Sequence, residues 1–254
     1  MNQEFSLSEK NAIVTGGSRG IGLATAAGFV AAGATVTICG RNQVRLDAAI
    51  AELNIDTDRI QAVEAHVGRS EDLDRLVDAA ENKFGSDSVL VNNAGTNPYF
   101  GPIMDADDGA WEKTLSINLS APFRLSKVVA RRLQERQNPG AIINIASVAG
   151  IEASPNMGIY SVSKAGLIML TKVMARECGA QELRVNCICP GLIKTKLSEG
   201  LWSDEEYCES LVARKALGRI GLPHELVGAA IFLASDASSF VTGAILPVDG
   251  GMTI

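Results

Sequence analysis

The chain has 254 residues, 46% of them hydrophobic, and carries a net charge of −6. That is enough apolar material for one sizeable α/β core, and acidity without a basic block excludes nucleic acid as the expected partner. No apolar run reaches the ~18 residues of a membrane span. The opening MNQEFSLSEKN lacks a secretory pattern and the closing GGMTI is not the Ser-Lys-Leu peroxisomal address, so a cytoplasmic protein without membrane association is expected.

In chain order, a short apolar strand is expected at 11–16, a helix at 20–33, a strand at 35–40 and a helix at 43–53. A strand at 59–67, a helix at 71–84 and a strand at 88–95 follow. A long helix should cover about 107–136. A strand at 140–147, a second long helix at 157–179, a strand at 183–191, a helix at 224–235 and a last strand at 244–250 complete the pattern. Strands apolar on both faces and separated by helices imply a parallel sheet covered on both sides. Right-handed crossovers then give a three-layer, doubly wound α/β fold with ligands beyond the carboxyl ends of its strands. The alternation runs nearly to the end, which argues for a single domain over 1–254. Only 194–219 interrupts it, polar with scattered large apolar residues, as a substrate lid would be.

TGGSRGIG (15–22) joins the first strand to the first helix. Gly16 permits a tight turn, and Gly20 and Gly22 let backbone N–H groups approach a pyrophosphate at the helix N-terminus. Ser18, Arg19 and Ile21 share that turn. The spacing is G-x-x-x-G-x-G rather than the common dinucleotide fingerprint, and glycines also end strands for purely structural reasons. The second strand closes on Cys39-Gly40-Arg41, with no acid to hold a ribose 2′-hydroxyl. Arg41, with Arg19 opposite, suits a 2′-phosphate, so NADP(H) is expected in preference to NAD(H).

YSVSK (160–164) places Tyr160 and Lys164 four apart on one helix face. A tyrosine titrates near ~10, and an adjacent ammonium is expected to lower that and make it a usable proton carrier. The bland alternative is a surface pair. Ser147 follows the strand at 140–147 and can reach the same substrate oxygen. Asn118 lies within an otherwise amphipathic helix. Either it faces water or bonds back to the preceding turn, or it marks a local break whose carbonyl holds a water near Lys164. The five cysteines do not form a disulfide framework. Cys187 and Cys189 share a strand face as small packing residues, and with only His66 and His224 available no metal site is expected.

Together and in this order, TGGSRGIG, NNAG (92–95), Asn118, Ser147, YSVSK and PG (190–191) resemble the short-chain dehydrogenase/reductase family over essentially the whole chain. The resemblance implies a Rossmann fold of seven parallel strands and a tetrad. Ser147 would polarise a carbonyl and Tyr160 deliver the proton. Lys164 would hold the nicotinamide ribose and lower the Tyr160 pKa, and Asn118 would complete a relay through water. Asn93, Ala94 and Gly95 would line the cofactor cleft, with Pro190, Gly191, Ile193 and Thr195 at its nicotinamide end. Where the family often has Asp-Val against the adenine, this chain has His66-Val67. NPYFGP (97–102) and the segment after PG look closest to NADP-dependent reductases of ketones and retinal-like carbonyls. Phe100, Met157, Leu197, Leu201 and Trp202 could form an apolar substrate wall or simply pack. A small-molecule carbonyl or alcohol is thus the expected substrate. The alternatives are a 3-oxoacyl-[acyl-carrier-protein] reductase, with Arg131 and Arg132 as its basic patch, and a non-catalytic dinucleotide-binding sensor or scaffold. The two long helices carry more apolar surface than one sheet face needs, and with the family's habit this implies a homotetramer.

Overall fold

Seven short runs rich in Val, Ile, Ala and Cys can bury both faces only at the centre of a layered domain. The computed structural model, which describes residues 3–53, 55, 57–86 and 88–254, places them there. The strands are β1 (Asn11–Thr15), β2 (Thr35–Gly40), β3 (Ile60–Glu64), β4 (Val89–Asn92), β5 (Gly140–Ile145), β6 (Leu183–Pro190) and β7 (Ile245–Val248). They form one sheet in the order β3-β2-β1-β4-β5-β6-β7, every pairing parallel. The order reverses between β1 and β4, which opens a crevice at their carboxyl ends.

Alternation along the strands divides the core. Ala12 and Val14 of β1 face α1 (Gly20–Ala31), α2 (Gln43–Leu53) and α9 (Val227–Ala234), where Phe29, Leu46 and Leu233 are buried. Ile13 faces the opposite layer, with α3 (Ser70–Phe84), α5 (Ala121–Glu135) and α6 (Gly158–Cys178) supplying Leu76, Leu125 and Met174. The seven-stranded, doubly wound architecture expected from the sequence is the one observed.

Several boundaries differ. The third strand stops at Glu64, and the helix expected from 224 begins as a tight turn over Pro223–Leu226. The helix expected over 107–136 is not continuous. Its first part, α4 (Asp108–Leu115), is capped by the Asp107 carboxylate accepting from Ala110 N at 2.8 Å. A π turn, Ser116–Ser120, then leads into α5. Pro122 supplies the physical reason. It has no N–H to return to the carbonyl of Asn118 four residues earlier, so the α ladder cannot continue unbroken there. In its place the Ala121 N–H donates to Ser116 O, one residue further back. Segment 194–219 contains two short helices, α7 (Glu199–Trp202) and α8 (Glu205–Val212). Among the described residues no helix is long and apolar enough to cross a membrane.

The start of β6 is tied to the end of α9 by a cation without a carboxylate. The Arg184 guanidinium donates to Leu233 O (3.0 Å), Ser235 O (3.2 Å) and the Ser238 hydroxyl (2.7 Å). Burial holds its pKa below the usual arginine value. Arg184→Ala should leave these acceptors unsatisfied and lower stability by about 2–4 kcal/mol. An unchanged urea-unfolding midpoint would show that the cage is dispensable.

Candidate active site

The crevice edge is built from hydrogen bonds between the ends of β1 and β4. The Thr15 hydroxyl accepts from Asn93 N (2.9 Å) and Ala94 N (3.0 Å), while the Asn93 amide donates to Thr15 O (2.8 Å) and Gly16 O (3.3 Å). This close approach requires glycine. A Cβ on Gly22 would lie 2.4 Å from Asn93 Nδ2 and 2.5 Å from Gly16 O, and Gly16 itself has φ +66°. The turn therefore leaves a floor of bare backbone at the N-terminus of α1. Above it lies a cleft of about 370 Å³ bordered by Gly16, Ser18, Arg19, Gly20, Ile21, Arg41, His66, Val67, Asn93, Ala94, Gly95 and Thr195. Gly22, Tyr160, Lys164, Pro190, Gly191 and Ile193 do not border it. Gly22 sits behind the turn against Asn93, and Gly191 packs on Asp249.

At one end of the cleft, Arg19 and Arg41 adjoin a smaller polar cavity that Arg45 and Asn42 also line. Among the described residues these three guanidiniums form no ion pair. The sequence reading overlooked Arg45, which α2 places one turn beyond Arg41. His66 borders the same end. Its Nδ1 accepts from Gly68 N at 3.1 Å, which in the neutral ring leaves the proton on Nε2. The bare glycine floor and unpaired guanidiniums fit a phosphorylated dinucleotide.

The proton-handling groups meet beside the cleft. Ser147 follows β5 and caps the short turn Val148–Gly150, accepting from Ala149 N at 3.1 Å. Gly150 lets that turn lie on α6, since a Cβ there would be 2.6 Å from the Lys164 carbonyl carbon. Lys164 is buried, its Nζ donating to Ile145 O at 2.8 Å and lying 5.6 Å from the Tyr160 ring centre. A Cβ on Gly95 would be 3.6 Å from Asn118 Oδ1 and 3.7 Å from Lys164 Nζ, so all three converge. Asn118 is fully buried, which removes the solvent-facing alternative. Its Oδ1 accepts from Thr96 N (2.8 Å), and its Nδ2 donates to Thr96 O (2.9 Å) and Ser163 Oγ (3.1 Å).

The comparisons with known proteins place the chain in a family. Residues 16–253 match the family model described as enoyl-(acyl carrier protein) reductase. Dehydrogenase/reductase SDR family member 4 of Oryctolagus cuniculus is 40% identical over 245 residues, covering 96% of this chain and 94% of that protein. The Homo sapiens protein of the same name is 39% identical over 251 residues, covering 99% and 90%. This chain belongs to the short-chain dehydrogenase/reductase family. Solved structures of such enzymes superpose closely. One, a short-chain type dehydrogenase/reductase from Mycobacterium marinum, has a TM-score of 0.92 at 31% identity, with 98% of each chain covered. Another, a gluconate 5-dehydrogenase from Burkholderia cenocepacia J2315 in complex with NADP and tartrate, has a TM-score of 0.93 at 34% identity, covering 98% and 97%.

In this short-chain dehydrogenase/reductase the titration of Tyr160 runs opposite to the sequence expectation. Enclosure of the phenol pushes its pKa up to about 12, against a smaller lowering by Ser147. Burial also pulls Lys164 down to about 8, opposed by the nearby Cys187 and Cys189 thiols. The Lys164 ammonium is directed to Ile145 O rather than to the phenol oxygen, and desolvation prevails.

Segment 194–219 is closed at its neck. Lys194 N donates to Gly221 O (2.9 Å) and Gly221 N to Leu192 O (3.0 Å), with Ile193 and Gly221 paired in a parallel bridge. Thr195 approaches Gly20 and bonds Ser198, and Trp202 Nε1 donates to Thr195 O at 3.0 Å. Tyr207 of α8 meets Phe100 edge-on, ring centres 6.1 Å apart. At the far side, Leu217 N donates to Gly250 O at 2.9 Å, and the Asp249 carboxylate accepts from Gly251 N and Thr253 N. Sequence reasoning missed Thr15, Thr96, Tyr207 and Ser163. Asn118 stands in the sequence reading as a candidate local break in its helix, and Pro122 is a second sign of the π turn that this reading leaves unused.

The depressed Lys164 pKa has a consequence for stability. The unfolded chain holds this proton up to about 10.4 and the folded chain only to about 8, so stability should rise with pH between those values. Against Lys164→Met at each pH, wild type should gain on the order of 3 kcal/mol across that window. A difference that stays flat from pH 7 to 11 would show that the ammonium is not desolvated.

Proposed function

We propose that this enzyme is an NADP(H)-dependent carbonyl reductase acting on a ketone or aldehyde, or on the corresponding alcohol in reverse, with Tyr160 as the proton donor. The observation that carries this reading is geometric: Tyr160, with Lys164 Nζ 5.6 Å from its ring centre and Ser147 as its hydrogen-bond partner, lies beside a glycine-floored cleft. Bound nicotinamide would supply or accept the hydride. The chain's own residues do the rest. The backbone of 16–22 receives the pyrophosphate, and Arg19, Arg41 and Arg45 receive the 2′-phosphate. His66 and Val67 flank the base. Asn93, Ala94 and Gly95 form the cleft wall, with Thr195 beside the carboxamide. Pro190, Gly191 and Ile193 support that end from behind.

The Ser147 hydroxyl orients and polarises the substrate oxygen, and the Tyr160 O–H donates its proton as negative charge develops there. The phenol is protonated at neutral pH, as a tyrosine ordinarily is, so it has the proton that reduction requires. Lys164 positions the ribose, and Asn118 presents to it the carbonyl that Pro122 deprives of its α-helical donor. The loop 194–219 serves as the lid, and Phe100 with Tyr207 gives it an aromatic edge suited to an apolar substrate. The structure offers less to an acyl-carrier partner, because Arg132 is engaged by Asp78 (2.7 Å) and Glu81 (2.8 Å). A homotetramer is supported by the half-exposed Phe123 on α5 and Val162, Met169 and Val173 on α6.

Two measurements test this reading. Tyr160→Phe should lower kcat for ketone reduction by about 10²–10⁴-fold while leaving NADPH binding nearly intact. Retained turnover would remove Tyr160 from the reaction. Arg41→Asp should raise the Kd for NADPH by about tenfold or more and shift preference toward NADH. An unchanged NADPH/NADH ratio of kcat/KM would show that the 2′-phosphate does not lie among these arginines.

A further inference from the structure

Between Tyr160 and Lys164 on α6 lies a side chain that the proposed chemistry does not use. Ser163 is completely buried. Its hydroxyl donates to Tyr160 O at 2.7 Å and accepts from Asn118 Nδ2 at 3.1 Å. A hydroxyl has one proton to give and lone pairs to receive, so both bonds form together. The Asn118 amide is then fully used, with one N–H on Thr96 O, the other on Ser163 and its oxygen on Thr96 N. Thr96 belongs to the loop after β4, Asn118 to the π turn and Ser163 to α6. The Asn118–Ser163 bond thus ties the crevice wall and the π turn to the helical turn that carries Tyr160 and Lys164.

This contact has particular leverage. The π turn leaves the α ladder at Pro122, and its wider i→i+5 bonding sets Asn118 in a position that an ordinary helix would not give it. Tertiary bonds then fix its side chain. Thr96 fixes it relative to the sheet, and among the described residues Ser163 supplies the only side-chain hydrogen bond from α6 to the Asn118 amide.

We propose that Ser163 is a positioning residue, whose hydroxyl fixes Asn118 relative to the Tyr160–Lys164 turn and so sets the alignment of the proton-transfer groups. This rests on the tetrad reading given above. Ser163 is buried away from the cleft and does not border it. Its loss leaves a buried amide N–H without a partner, which the π turn relieves by shifting or by admitting water.

The test compares Ser163→Ala and Ser163→Thr with wild type in ketone reduction across pH, alongside NADPH binding by fluorescence titration and thermal melting. Ser163→Ala should lower kcat about tenfold, displace the pH profile of kcat and leave the Kd for NADPH within about threefold. Ser163→Thr, which keeps the hydroxyl, should restore both kcat and the profile. If Ser163→Ala keeps kcat and the wild-type profile, the inference is overturned. It is also overturned if activity falls only in proportion to lost folded protein with the profile unmoved, or if Ser163→Thr fails to restore the profile while melting as wild type. Tyr160→Phe is measured in the same series. Full activity in that variant refutes the tetrad itself, whereas an inactive Tyr160→Phe beside an unaffected Ser163→Ala refutes only the role of Ser163.

Discussion

The Thr15 hydroxyl takes N–H bonds from two successive residues after β4, and the Asn93 amide closes back across the gap onto Thr15 and Gly16. Parallel strands whose connections leave in opposite directions have no reason of their own to stay at a fixed separation beyond their last ladder bond. Here that separation is set by four hydrogen bonds between partly buried groups, each costing about 1–3 kcal/mol if left unmade. The glycine turn can present bare backbone because Gly22 is pressed against Asn93, and Gly95 can bring Asn118 and Lys164 together because the segment leaving β4 starts from a fixed point. The candidate cofactor cleft and the candidate proton-transfer site share this single anchor.

The chemistry beside the anchor is a contest between burial and charge. The Lys164 ammonium lies 5.6 Å from the Tyr160 ring centre but is turned onto Ile145 O, so it does little to favour the phenolate. Removing the phenolate from water is the larger effect, and it raises the pKa. The balance leaves Tyr160 protonated and makes Lys164 itself easier to discharge. Side-chain proximity read from Y-x-x-x-K gives the attractive half of this balance and omits the other half.

What the sequence made legible follows from which forces are local. Strands such as 11–15 and 183–190 declare themselves because both faces are apolar, and α2 because its period is helical over its full length. The glycine turn and the four residues of the candidate tetrad stood out because the family resemblance singles out those residue types at those positions. Partnership is harder to read. Asn92, Asn144 and Thr171 look like interruptions in apolar segments until the fold joins them in a chain of 2.9 Å bonds. Ser163 is an ordinary helical serine until Asn118 arrives from 45 positions away. Arg132 resembles a free surface cation until α3 supplies Asp78 and Glu81. The π turn depended on reading Pro122 against the residue four before it, a pairing that amphipathic periodicity conceals.

The bridged neck at Ile193 and Gly221 limits how the segment above it can move. A flap held by one end swings aside and admits anything that fits beneath it, whereas one sewn together at both roots can only billow. Its clearance then grows at the crown, near Tyr207, and hardly at all near Thr195. The bridge thus lets the crown rearrange while the root beside Thr195 and Gly20 keeps its place.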